Sequence, residues 1–136
     1  MRYLIIAVLT VMPALPAVAQ DFDKGWAAYQ RGDYATALEA WRPLAEQGAA
    51  AAQYRLGVMY AYGIMVEKDY RKAREWYEKA ARQGHALAAY ELGVFYELGR
   101  GLWQDERQAA YWFQQGALGG HSPSQEKFSR YERFLR

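Results

Sequence analysis

Two histidines, His85 and His121, stand one interval of 36 residues apart in this chain of 136 residues, and three aspartates, Asp33, Asp69 and Asp105, repeat at the same interval. Imidazole and carboxylate are the side chains of metal sites and of general acid and base catalysis, so these residues come first. Metal ligation needs further donors converging in space, yet each histidine follows a glycine, Gly84 or Gly120, at a helix junction a whole interval from the other. They read as solvated junction residues carried along by duplication. Each aspartate precedes a helical stretch, where a carboxylate caps free N–H groups and stabilises the helix by about 1 kcal/mol. No glycine-rich phosphate loop, HExxH pair, nucleophile elbow or Ser/His/Asp set is present. Cysteine is absent, which excludes thiol nucleophiles, thiolate metal sites, disulfides and a lipid-modified N-terminal cysteine. No catalytic residue, metal or cofactor is expected.

Recognition chemistry has better material, because 16% of the residues are aromatic and several recur with the same interval. Ala52–Gly63, AQYRLGVMYAYG, returns as Ala88–Gly99, AAYELGVFYELG. Laying residues 49–84 over 85–120 gives 14 identities in 36 positions, where chance gives about two. On a helical wheel Ala52, Leu56, Gly57 and Tyr60 share one side, suited to packing against the next helix, as do Leu92, Gly93 and Tyr96. Gly57 lets that neighbour come close. Tyr54, Arg55, Val58, Ala61 and Tyr62 fall on the opposite, mixed side, with Tyr90, Glu91, Val94, Glu97 and Leu98 as counterparts. Tyrosine beside charge suits a peptide groove, since it offers area, rigidity and a hydroxyl. Packing between successive units, or under a last helix, is the other reading of Tyr54 and Tyr90. Trp103, in the polar loop GRGLWQDE, either plugs a gap or marks a contact.

These residues need helices to position them, and the periodicity supplies paired ones. The first unit, 21–48, has helices over Asp21–Arg31 and Tyr34–Gln47. The second, 49–84, has Ala50–Tyr62, a loop Gly63–Lys68 and Asp69–Gln83. The third, 85–120, has Ala86–Leu98, a loop Gly99–Gln104 and Asp105–Leu118. The charged second helix of the second unit, with Glu75–Lys79 and Glu78–Arg82 in favourable i, i+4 order, reads as a solvated face. A final helix, 122–136, opens on Ser122-Pro123. It turns Phe128, Tyr131 and Leu135 toward the third unit and Lys127, Arg130, Arg133 and Arg136 to water. Helical hairpins repeated this way stack into an all-α, right-handed solenoid, here of about three hairpins and a capping helix.

LGVMYAYG, Asp69 and KAREWYEKAARQG, with LGVFYELGRGL, Asp105 and RQAAYWF, resemble the Sel1-like repeat, a relative of the tetratricopeptide repeat with a longer loop between its helices. GDYATAL in the first unit is more similar to an ordinary tetratricopeptide hairpin. Met65 stands where the second loop glycine usually falls, so that loop is expected to be shaped differently. Gly116 stands in place of alanine and is expected to loosen its helix end. The resemblance implies a concave face lined by the first helix of each unit. Asp23, Lys24, Ala27, Gln30 and Arg31 would then join Tyr54, Arg55, Val58, Tyr62, Tyr90, Glu91, Val94 and Leu98 in a shallow groove for a peptide, a partner protein or a second copy. It also implies a scaffold rather than an enzyme. Some secreted, cysteine-rich repeat proteins of this kind are linked to β-lactam binding or hydrolysis, and this chain lacks their cysteines. A structural subunit of an envelope complex, acting through the convex face or last helix, is the other expectation.

Met1–Ala19 reads as a signal peptide: basic Arg2, an apolar run Leu4–Met12, helix-breaking Pro13 and Pro16, and Ala17-Val18-Ala19 before Gln20. Cleavage after Ala19 would send the remaining single domain, 20–136, to the periplasm or beyond. That remainder carries 16 basic and 15 acidic side chains, one Arg fewer than the full count of 17 and 15. Near balance gives no electrostatic reason to expect nucleic acid or an anionic membrane surface as partner, and no other apolar run approaches a membrane span, so no insertion in a membrane is expected.

Overall fold

The computed structural model describes residues 15–136. Seven α-helices follow one another: α1 (Leu15–Gln30), α2 (Tyr34–Glu46), α3 (Ala50–Tyr62), α4 (Tyr70–Arg82), α5 (Ala86–Leu98), α6 (Glu106–Leu118) and α7 (Ser122–Tyr131). A 3₁₀ turn, Glu132–Leu135, ends the chain. Each helix packs on the ones before and after it, so α1–α2, α3–α4 and α5–α6 are hairpins stacked in an all-α helical-repeat solenoid. Most of the predicted leader, residues 1–14, lies outside the described residues. The predicted cut after Ala19 falls inside α1, which starts at Leu15, six residues ahead of the expected start.

One joint repeats through the stack. Gly25, Gly57 and Gly93, on the first helix of each hairpin, lie under Trp41, Tyr77 and Phe113 on the second. A Cβ at Gly93 would stand 2.5 Å from two ring carbons of Phe113. The three rings are fully buried. Tyr60 and Tyr96, expected in the core, are half-buried against it. Caps are as anticipated: Asp33, Asp69 and Asp105 accept from the N–H groups of Thr36 (3.2 Å), Lys72 (3.0 Å) and Gln108 (3.0 Å). A chain of amides, buried at Gln53 and exposed at Gln83, joins the first two units. Gln83 donates to Gln53 at 2.8 Å and to the Gly48 carbonyl at 2.9 Å, and Gln53 donates to the Ala45 carbonyl at 3.2 Å.

Two departures from the repeat resolve differently from expectation. The loop holding Met65 has the same shape as its counterpart: φ is +58° at Met65 and +67° at Gly101. Matching hydrogen bonds run from Asp69 N–H to Tyr60 O and from Asp105 N–H to Tyr96 O. Met65 accepts a left-handed backbone that costs a side chain of its kind roughly 1 kcal/mol. Its exposure leaves that conformation free of clashes, whereas a Cβ at Gly101 would lie 2.9 Å from Tyr70 Cβ. Gly116, in turn, is a seat and not a loose end. A Cβ there would meet Ser124 Oγ and lie 2.9 Å from Ser124 Cβ, so the glycine is what admits α7.

α7 occupies the place of a fourth unit's first helix. His121, Ser124 and Tyr131 stand 36 residues after His85, Ala88 and Phe95, and the Tyr131 ring lies 5.7 Å from Phe113 much as Phe95 lies 5.5 Å from Tyr77. The 3₁₀ turn changes the periodicity, which leaves Leu135 exposed and turns Phe134 toward Tyr131 instead. Lys127 is not on the wet side: it pairs with Glu97 at 2.8 Å.

Candidate concave binding face

The joint glycines fix which first-helix residues are equivalent. Gly57 minus Gly25 is 32, not 36, because the first hairpin has the shorter loop. Asp23, Trp26 and Gln30 are therefore the counterparts of Arg55, Val58 and Tyr62. Lys24 corresponds to buried Leu56, and at the open end of the stack it sits exposed beside Asp21, at 3.5 Å, near Glu39 and Pro43 of α2. Arg31 lies exposed past the end of α1. Neither is brought to the remaining candidates. Trp26, read from the sequence only as part of a helical stripe, belongs on the face: the Arg55 guanidinium lies 4.2 Å from its ring centre, in the range of a cation–π contact.

The tyrosines divide by position. Tyr54 stacks on His85 (4.8 Å between ring centres, 24° between planes) and leans on Tyr77 at 5.8 Å. Tyr90 meets His121 edge-on at 4.9 Å and Phe113 at 5.8 Å. Both are half-buried junction residues. Val58 and Val94 are also half-buried, and Val58 packs on the core. Tyr62 and Leu98, last on α3 and α5, are 66% and 56% exposed. About two turns earlier on the same helices lie half-buried Arg55 and Glu91. Burial raises the Glu91 carboxyl above its ordinary range, against the attraction of Arg100. Burial also raises the Tyr54 hydroxyl, with the Glu91 charge adding to it.

At the far end α7 packs against the face through Glu97. Glu97 accepts from Lys127 Nζ and from the Tyr131 hydroxyl at 2.8 Å. Burial, then that bond, pushes the Tyr131 hydroxyl up to about 12. The duplication itself held the signal for this contact, since Lys127 falls 36 residues after Glu91.

Catalytic geometry is poor. His121 Nδ1 and Ser124 Oγ are 2.8 Å apart, a base beside a hydroxyl, but Ser124 is wholly buried between α6 and α7 and unreachable by substrate. Among the described residues no three His, Asp or Glu side chains gather as metal ligands, and no helix is long and apolar enough to cross a membrane. Trp103 plugs nothing: it is 93% exposed.

His85 differs from the solvated residue expected. Its Nδ1 accepts the Ala88 N–H at 3.2 Å and so caps α5. The imidazole is pulled below its usual 6.5 by burial and then by the Arg55 charge. A lowered folded value means stability complete above 6.5 and lost as pH falls through 6.5 toward that value, since protonated Nδ1 cannot accept. His85→Asn keeps an acceptor that does not titrate. Thermal unfolding of the wild type is expected to weaken between pH 7.5 and 5 by about 1 kcal/mol more than that of the variant; parallel pH profiles would exclude the cap as the cause.

The Sel1 repeat family model matches residues 50–85 and 86–121. A Sel1 repeat protein from Oxalobacter formigenes is 33% identical, over 85% of this chain and 90% of that one, with a TM-score of 0.76. A protective antigen present in uropathogenic Escherichia coli strains, displaying an SLR fold, is 34% identical over 79% of this chain, with a TM-score of 0.73; this chain spans 24% of it. No curated protein matches. Two repeats with the same glycine-under-ring joint and capped loops, and a first hairpin and last helix that continue their stack, agree with these likenesses: the chain belongs to the Sel1 repeat family.

Proposed function

We propose that the chain is an exported scaffold that holds a peptide segment of a partner protein on the concave side of α3 and α5. Sel1 repeats typically serve protein–protein interaction and are generally non-enzymatic. The observation that carries the reading is the repeated pair Tyr62 and Leu98, large apolar side chains left 66% and 56% exposed one unit apart, with charge at Arg55 and Glu91 about two turns back on the same helices. An exposed apolar pair flanked by charge is the composition of a recognition surface. So small a surface suits a transient partner or one subunit of a larger assembly. Export rests on the leader in residues 1–19, with the periplasm as the default destination.

The test is photocrosslinking in envelope extract with a reactive residue at Val58 or Val94 and a control at Lys72 on α4. A partner trapped at the first two and not at Lys72 is expected, with capture falling at least ~10-fold on joint reversal of Arg55 and Glu91. Capture only at Lys72 would overturn the reading. A structural role through another surface is favoured by Trp103, which is exposed in the loop after α5. In that case capture would survive the reversal and fail in Trp103→Ala, whose stability should change by less than about 0.5 kcal/mol.

A further inference from the structure

We propose that the concave face carries a subsite for a basic side chain of the partner, arginine before lysine, anchored by the Glu91 carboxylate. This rests on the concave-face reading above. Glu91 holds the same place in its unit as Arg55 and Lys127 do in theirs, and those two are satisfied: Arg55 lies over Trp26 and Lys127 is paired with Glu97. Glu91 is half-buried, yet among the described residues it has neither a salt bridge nor a hydrogen bond. The cation whose charge reaches it, Arg100, is stacked instead near Tyr70 and Phe95, at 5.6 and 6.0 Å. A half-buried carboxylate without a paired cation is less stable than a paired one, and this one is left open to a cation from outside the fold.

A second unsatisfied group accompanies it. The Tyr77 hydroxyl is buried without a hydrogen-bond partner, and the Glu91 charge bears on it. Facing Glu91 are thus Tyr54 from α3, Tyr77 from α4 and Arg100 from the loop after α5. That arrangement gives the carboxylate two tyrosine neighbours and the attraction of Arg100, but no cation paired with it. A guanidinium supplies five N–H donors in a planar fork and a face that stacks on a tyrosine ring, which an ammonium does not. Tyr62 and Leu98, exposed about two turns further along α3 and α5, would line the path of the chain beyond it.

The subsite should show itself as a conflict between binding and stability. A carboxyl held above its usual 4.5 leaves the folded chain most stable below 4.5 and weakened as pH rises through the folded value. Glu91→Gln is therefore expected to raise the melting temperature at pH 7 and to have no such effect near pH 4. Binding is read by amide chemical shifts of the full chain titrated with Nα-acetyl-arginine amide, and with the neutral isostere Nα-acetyl-citrulline amide. Saturable shifts in α3 and α5 at ~10-fold lower concentration for arginine are expected, and Glu91→Gln should erase that preference. Equal shifts from both probes would overturn the subsite and leave the concave-face reading intact. No arginine shift in α3 and α5, or a preference that survives Glu91→Gln, would overturn the subsite too. The fate of the concave face is decided separately by capture at Val58 and Val94.

Discussion

Gly93→Ala is expected to lower the melting temperature by roughly 10 °C, although alanine is the better helix former by about 1 kcal/mol. The added methyl would lie 2.5 Å from Cδ1 and Cε1 of Phe113 and 3.0 Å from Cγ. Contacts that short force a ring or a helix to move. The ring has nowhere to go: Phe113 is fully buried, with Tyr90 at 5.8 Å, Tyr131 at 5.7 Å and the Lys127 ammonium 5.8 Å over its face. Overpacking of this kind costs about 1–3 kcal/mol, and more when a helix pair must separate. With the cost at the top of that range and the gain in propensity set against it, the expected net loss is about 2 kcal/mol, read by thermal unfolding followed by circular dichroism. Phe113→Leu alone should also destabilise, by about 1–2 kcal/mol. Joined to Gly93→Ala it should recover part of the loss, with a coupling energy above about 1 kcal/mol. Strict additivity of the two changes would mean that the glycine and the ring are not one joint.

This joint shows what could be read in one dimension and what could not. The 36-residue period needs no structure, because hairpins that bury a face only against their neighbours must repeat their contacts. Helices, aspartate caps and stacking followed from it. Gly25 was obscured by arithmetic: it precedes Trp41 by 16 residues, whereas Gly57 precedes Tyr77, and Gly93 precedes Phe113, by 20. Without that register the first unit's contribution to the concave face slips by one residue, which brings Lys24 and Arg31 into the places of Asp23 and Gln30 and leaves Trp26 off. A helical wheel also cannot divide a half-buried side. Tyr54 and Tyr90 share an angular sector with Tyr62 and Leu98, but the histidine one residue before each following helix takes up the first pair by stacking. Nor does local sequence reveal that Met65 will adopt a glycine's backbone, since the two hydrogen bonds that hold the loop are made by the main chain. Glu91 was legible as a position and illegible as a condition. Its lack of a partner exists only once α3, α4 and α5 are packed.

Gly116→Ala is the second large effect, expected to detach α7 while the two central hairpins stay folded. The new methyl would meet the Ser124 hydroxyl and lie 2.9 Å from Ser124 Cβ and 3.2 Å from the Ala86 carbonyl oxygen, so it is pinched between α7 and α5. α7 has 10 residues, too few to be helical alone, and depends on docking. Docking supplies the buried seat of Ser124, the Lys127–Glu97 pair at 2.8 Å and the Tyr131–Phe113 contact. If the seat is lost these go together, because all are made by one short rigid element. Amide hydrogen exchange is the appropriate measurement: protection over Ser124–Tyr131 should fall by about 100-fold, equivalent to about 3 kcal/mol of local stability, with α3 and α4 little changed. Ser124→Gly in the same chain removes the opposing Cβ and should restore part of the protection. The released end should also associate. Gln125, Ser129 and Glu132 give the capped stack a polar outer side, and without α7 the aromatic surface of Phe113 and Tyr90 faces water. Concentration-dependent dimers in sedimentation are therefore expected for Gly116→Ala and not for the double variant. A variant that keeps full protection and stays monomeric would show that α7 holds by its ion pair alone, and that the glycine is incidental.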